Sequence, residues 1–365
     1  MAVVIDNILT EKEKCDQQKL KTYKPLVYEK MIRYNEKLAR GEPIPCIILQ
    51  YRYHCNMRCI HCCVDKFRMT KNKRMVTLFD VKNLADQADA LGLGNFAITG
   101  GETTMFKDFD QLIAAIGPER FWIQTDTNGW LLDDKLAKHW KSIGLDKVDI
   151  SLDSMDEKAH DEMRQMNGSW KKAIEAIDHC NNNGLSVLIN TVVTGSRIRT
   201  QEFIDFLEFL KTKNAATMVC WAHPSGKWEK FTDFATREDG EYLMELGEKY
   251  NVFDHSVSKG YGRYVGCMGV KRVLTINGFG DAMPCSWLGF KLGSIFNNSL
   301  QEILDKGMKY FGNFESTCLT GTNREFIEKY IYPLHDREIP APIEETLPID
   351  WQEQLKNENI VYSST

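Results

Sequence analysis

From about residue 46 onward, short apolar or β-branched runs alternate with longer stretches of helical periodicity. Runs at 47–51, 96–99, 122–125, 148–151, 187–190 and 217–220 read as six buried strands. Between the first two, Leu78, Val81, Leu84, Ala88 and Leu91 recur at helical spacing, opened by Thr77 with Asp80 and closed at Gly92. A second such pattern runs through Trp170, Ile174 and Ile177 to Gly184. Strands alternating with helices predict an α/β fold on a parallel sheet, either doubly wound or curled into a full or partial barrel. In either case, polar residues directly after each strand become candidates for chemistry.

The rhythm breaks after Cys220. A helical stretch near 237–250 is followed by an Asn277-Gly278 hairpin signal and a further helical pattern from Leu300 to Tyr310, predicting a smaller α+β unit. The first 45 residues carry a Lys- and Glu-rich helical pattern around Leu26 to Leu38, expected to form an outer cap. The chain thus divides into a cap (1–45), an α/β core (46–225), a second unit (226–330) and a tail (331–365).

The 365 residues include 46 Lys and Arg against 51 Asp and Glu, a net charge of -5. That balance argues against a partner held through nucleic-acid phosphates and favours a small-molecule or peptide substrate. No leader-like segment opens the sequence, and no run of roughly 18 apolar residues could span a membrane, so a cytoplasmic location is expected. Eleven cysteines, an odd number, fit metal or redox chemistry better than a disulfide framework.

Four of those cysteines crowd into residues 55–63. Cys55, Cys59 and Cys62 stand four and three apart on the loop that leaves the first predicted strand, close enough to ligate one iron-sulfur cluster. Three protein ligands leave one iron of four open, as a catalytic centre requires. A structural zinc held with Cys63, His54 or His61 is the competing reading, but zinc motifs usually pair two short cysteine pairs, and no second pair is present.

Residues 46–225 resemble the radical S-adenosylmethionine (SAM) family, whose signature is this cysteine spacing after the first strand of a partial (βα)6 barrel. The resemblance implies a [4Fe-4S] cluster whose open iron binds the SAM amino and carboxylate groups. It also implies cleavage of SAM to a 5′-deoxyadenosyl radical, which removes a hydrogen atom from substrate. An electron donor such as flavodoxin or ferredoxin would feed the cluster. His61 stands where the family often has an aromatic residue against the adenine. Gly100, Gly101 and Glu102 resemble the family's GGE motif, in which backbone and acid grip the SAM amino group. Asn128, Ser151, Asp153 and Asn190 follow or end later strands at positions that line the SAM pocket in relatives. Arg164 resembles an arginine suited to the SAM carboxylate. The basic run of Lys66, Arg68, Lys71, Lys73 and Arg74 could attract an anion, although such runs are commonly solvated loops.

Cys267 and Cys285 flank the predicted hairpin, which would bring them to adjacent strand ends, and Cys318 adds a third thiol. With Gly280 and the segment from Gly293, this arrangement resembles the SPASM extension in its shortened, twitch form. The full form binds two auxiliary clusters. Here only Cys318 remains of its later cysteine series, so one auxiliary [4Fe-4S] cluster with an unidentified fourth ligand is implied. Cys220 ends the sixth strand, where some epimerases of the family place a hydrogen-donating cysteine. Trp228, Trp287, Tyr261 and Tyr264 are candidates for a compact pocket wall. Together these features favour oxidation or epimerisation of a sugar- or aminocyclitol-like molecule over modification of a peptide. A non-catalytic iron-sulfur or zinc protein is the alternative of a different class.

Overall fold

The computed structural model describes residues 11–225, 228–254, 267–312 and 318–355. Tyr261 and Tyr264 lie outside them. Six parallel strands form where the apolar runs lie: β1 (Cys46–Arg52), β2 (Asn95–Gly100), β3 (Trp122–Thr127), β4 (Lys147–Ser151), β5 (Ser186–Val193) and β6 (Ala216–Trp221). They pair in chain order, 1-2-3-4-5-6, with no reversal. A doubly wound sheet would reverse its order at a switch point. Consecutive order is therefore that of the open (βα)6 barrel, the arrangement implied by the resemblance.

Why the strands are polar on one side follows from their burial. In β3 and β6, alternate residues are fully buried and partly exposed. Ile123, Val148, Ile150, Ile189 and Val219 point outward under the helices, where each contributes about 1.5–3 kcal/mol of burial. The helix Leu78–Ala90 covers this face with Val81, Leu84 and Ala88, and the Thr77–Asp80 capping box opens it as the sequence predicts. Inward-facing residues such as Gln124 and Asp126 line a cavity instead.

The sheet continues beyond the six core strands. β7 (Val252–Asp254) pairs with β6, following the helix Arg237–Tyr250. β8 (Val273–Ile276) lies parallel to β1, and β9 (Asp281–Met283) returns antiparallel beside β8, so the predicted hairpin is present. A short pair, β10 (Phe290–Lys291) with β12 (Ala341–Pro342), stands apart, while β11 (Gly293–Ser294) extends the main sheet at β9. The hairpin loop differs from a two-residue Asn-Gly turn. It spans 277–280, with the Asn277 side chain accepting from the backbone of Phe279 and Asp281, and the left-handed residue is Gly280 (φ 80°). An Asx side chain that closes the loop removes the need for a left-handed Gly278.

The N-terminal cap forms helices Glu11–Tyr23, Pro25–Met31 and Tyr34–Ala39. Between the first two, Lys24 reaches the amino end of the barrel, donating to the Phe121 carbonyl at 2.9 Å and pairing with buried Asp146. The cap therefore closes the end opposite the carboxyl ends of the strands. Among the described residues, no helix is long and apolar enough to cross a membrane.

Candidate active site

The loop leaving β1 carries Cys55, Cys59 and Cys62 to the carboxyl end of the barrel, and all three line the cavity together with Cys63. Its path is fixed by β2. Gly101 N–H donates to the Arg52 carbonyl at 2.7 Å and Glu102 N–H to the His54 carbonyl at 2.6 Å. A β-carbon on Gly100 would stand 2.1 Å from the Arg52 oxygen, and one on Gly101 1.9 Å from the His54 oxygen. The paired glycines thus let the cysteine loop's own backbone cross the end of β2. The close approach they allow is to another strand's exit, before any ligand is considered.

Glu102 is fully buried and held on both oxygens. Oε1 accepts from the hydroxyls of Thr127 (2.6 Å) and Thr104 (2.7 Å), and Oε2 from Asn128 N–H (2.8 Å). Burial raises its carboxyl above the ordinary range, and these donors oppose the rise. Asn128 continues the link, since its amide donates to Asn56 Oδ1 at 2.8 Å and lies 4.0 Å from Cys55 Sγ. The glycine-acid segment, the end of β3 and the cysteine loop form one hydrogen-bonded unit.

Arg164 lies on the other side of the loop. Its Nε donates to Asp153 Oδ2 at 2.7 Å and its Nη1 stands 3.9 Å from Cys59 Sγ. The pair is buried rather than a surface salt bridge, and the Arg164 guanidinium holds the Asp153 carboxyl well below the usual carboxylate range despite desolvation. Asp153 also accepts from Val192 N–H at 3.1 Å. Arg164 forms part of the cavity wall, whereas Asp153 lies behind it and orients it. Removing either partner alone would strand a buried charge.

His61, Ser151, Asn190 and Cys220 line the same cavity. Burial, reinforced by Arg164, lowers His61 to about 4, so the ring is neutral. It lies 5.7 Å from the Trp228 ring. His61 Nδ1 and Asn190 Oδ1 are buried without a hydrogen-bond partner. Most of the basic run is tied within the chain: Lys66 to Glu229, Lys73 to Glu338, Arg74 to Asp80 and Arg68 to Asp65.

The cavity encloses about 280 Å³, close to the lower end of the roughly 300–1,000 Å³ of small-molecule sites. Residues 51–210, which contain the cysteine loop, the glycine-acid segment and Arg164, match the model of the Radical SAM superfamily. Residues 51–210 belong to the radical SAM superfamily. It is 28% identical over 180 residues to the Fe-coproporphyrin III synthase of Methanosarcina barkeri, covering 49% of this chain and 44% of that protein. It is 29% identical over 191 residues to the GTP 3′,8-cyclase of Psychromonas ingrahamii, covering 48% and 56%. The chain spans about half the length of these curated relatives. Among solved structures, SuiB of Streptococcus suis bound to its precursor peptide SuiA superposes with a TM-score of 0.59 at 19% identity. That match covers 85% of this chain and 77% of that one. At such identity the likeness speaks to the fold.

Radical SAM proteins use a [4Fe-4S] cluster and SAM, and the residues present fit both. Among the described residues, no three His, Cys, Asp or Glu side chains close on a point that a single metal ion could occupy. A lone zinc needs its thiolates about 2.3 Å away. The three thiols line one cavity, and a four-iron group there would take one iron to each. Burial pushes the Cys62 thiol up to about 11, and a bound cation would reverse that by taking the thiolate. The partnerless His61 Nδ1 and Asn190 Oδ1 are polar atoms of the cavity wall that a ligand would satisfy.

Cys267, Cys285 and Cys318 line the same cavity as the radical SAM cysteines. The hairpin brings the first two together, and Cys285 feels the charge of both Cys267 and Cys318. Trp228 and Trp287 also line the cavity. The sequence reading passed over Gln50, Gln124, Asp126 and Asp149, all of which reach the barrel interior. Their signal was present as polar residues at period two within otherwise apolar strands.

Proposed function

We propose that this chain is a cytoplasmic radical SAM enzyme acting on a sugar- or aminocyclitol-like small molecule by oxidation or epimerisation. Cys55, Cys59 and Cys62 would hold the SAM-binding [4Fe-4S] cluster, and Cys267, Cys285 and Cys318 an auxiliary one in a twitch-like extension. The observation that carries the reading is that both thiol sets and a polar barrel interior border one cavity. When bound, the cluster and SAM supply a 5′-deoxyadenosyl radical that takes a hydrogen atom from substrate.

The chain's own residues do the positioning. Glu102, held by Thr104, Thr127 and Asn128, presents a buried carboxylate toward the SAM amino group. Arg164, braced by Asp153, presents its guanidinium beside Cys59 for the SAM carboxylate. His61 and Trp228 offer ring faces to the adenine, and Ser151 and Asn190 offer polar atoms to the ribose. Burial raises the Cys220 thiol well above its ordinary value, keeping it as S–H, the form able to return a hydrogen atom to a substrate carbon radical. In deuterated water, Cys220 is expected to place deuterium at the reacting carbon of an epimerised product. Deuterium incorporation unchanged in Cys220→Ala would assign another donor.

The test of the class is anaerobic reconstitution with iron and sulfide, followed by reduction in the presence of SAM. The expected result is 5′-deoxyadenosine with about eight irons per chain, falling to about four in Cys285→Ala. A single bound zinc with no SAM cleavage would sink the reading. A peptide is the competing substrate, and a short precursor peptide consumed by the enzyme would establish it.

A further inference from the structure

The interior of a (βα) barrel is ordinarily packed with bulky branched side chains. Here its floor is polar. Asp126 and Asp149 are directly paired neighbours on β3 and β4, and Gln50 and Thr99 are paired neighbours on β1 and β2. All four line the cavity below the cysteine loop.

The two carboxylates are treated differently by their surroundings. Asp149 is 1% exposed, with Gln124 Nε2 donating to Oδ2 at 3.0 Å and Lys147 Nζ forming an ion pair 3.4 Å from Oδ1, which accepts no hydrogen bond. Asp126 receives the Thr99 hydroxyl and makes no ion pair among the described residues. Desolvation and the neighbouring Asp149 push its carboxyl above the ordinary carboxylate range. Gln50 is 0% exposed, yet its Nε2 has no hydrogen-bond partner. A buried amide donor left open is costly, and this one belongs to a side chain that lines the cavity with Asp126.

An acid with one hydroxyl donor and no ion pair, sharing a cavity with an open amide donor, is the complement of a particular ligand group. The acid calls for a cation with hydrogen-bond donors, and the amide calls for a neutral acceptor nearby. We propose that the barrel floor recognises an amino alcohol on a small-molecule substrate, its ammonium held by Asp126 and Asp149 and a hydroxyl of the same molecule accepting from Gln50 across the cavity. The proposal rests on the small-molecule reading above and narrows its substrate class to amine-bearing polyols. The paired aspartates account for the sign of the ligand's charge, and Gln50 for a hydroxyl oxygen on the same molecule.

The probes are glucosamine, glucose and Nα-acetyl-lysine amide, titrated into the reconstituted enzyme with SAM bound and followed by ligand-detected NMR. Glucosamine is expected to bind at least about 10-fold more tightly than glucose, and Asp126→Asn/Asp149→Asn to bring the ratio to about one. Asp126→Asn alone, isosteric and relieved of like-charge repulsion, serves if the double variant does not fold. Its ratio is expected to fall by at least about threefold. Equal affinity for the two sugars in wild type would overturn the proposal, as would a preference that survives the substitutions. Tighter binding of Nα-acetyl-lysine amide than of glucosamine would also overturn it, by placing the ammonium on a peptide. 5′-Deoxyadenosine is measured on the same samples. Its formation without an amine preference refutes the floor assignment alone, whereas its absence refutes the enzyme reading on which the assignment rests.

Discussion

Cys59→Ala is expected to abolish 5′-deoxyadenosine formation while leaving the fold intact. The loss should exceed the roughly 10- to 100-fold typical of removing only a hydrogen-bonding partner of a metal ligand, because a ligand itself is gone. Cys59 is partly exposed at the cavity, and its recorded side-chain contact is the long one from Arg164. Little packing is lost, so the unfolding midpoint should move by no more than about 0.5 kcal/mol equivalent, the range of ordinary surface changes. The checks are chromatography for deoxyadenosine, iron content and a denaturant melt on the same preparation. Wild-type levels of cleavage in Cys59→Ala would remove the cysteine loop from the chemistry.

Gly101→Ala is expected to damage both stability and cluster loading. The new β-carbon would lie 1.9 Å from the His54 carbonyl oxygen and 2.5 Å from its carbon, and both are backbone atoms that cannot swing aside. Overpacking commonly costs about 1–3 kcal/mol, and a clash between two strand exits falls at the upper end or beyond. Relieving it would break the hydrogen bonds from Gly101 and Glu102 to residues 52 and 54 and move the cysteine loop. Gly168→Ala supplies the control. Its site has a left-handed φ of 82° but open space around the added carbon, so only the backbone preference of about 1–2 kcal/mol is lost. Thermal melting together with iron content separates the two variants. Full iron loading in Gly101→Ala would show that the loop is not held by the glycine pair.

Much of the scaffold was legible because it is encoded locally. The helix over Leu78–Ala90 is written in apolar spacing and a Thr77–Asp80 cap, and all six core strands lie in runs whose composition suits burial. The hairpin between Ile276 and Asp281 was readable from a turn signal, although the side chain of Asn277 and the left-handed Gly280 set its geometry. Cys55, Cys59 and Cys62 were legible because they stand close in sequence on one loop, as the ligands of a single cluster would. Cys267, Cys285 and Cys318 could be grouped only by supposing the hairpin.

The site's finer logic was not local. The doubled glycine reads in sequence as room for a ligand, yet its nearest neighbour is the backbone at 52–54, more than 45 residues earlier. Arg164 and Asp153 read as separate pocket residues, and the fold makes them one buried pair with Asp153 behind. Asp126 and Asp149 were overlooked because a strand's alternation distinguishes two faces without saying which one surrounds a cavity.

The sequence by itself determined the α/β alternation, the helix boundaries and the three-cysteine loop, since each depends on contacts within a few residues. Only the tertiary structure decided that the sheet pairs in consecutive order, that β8 joins it beside β1, and that both thiol sets and the acidic floor border one cavity. Those outcomes depend on pairings between distant strands. Their register is set by burying one face of every strand at once, which no single segment specifies.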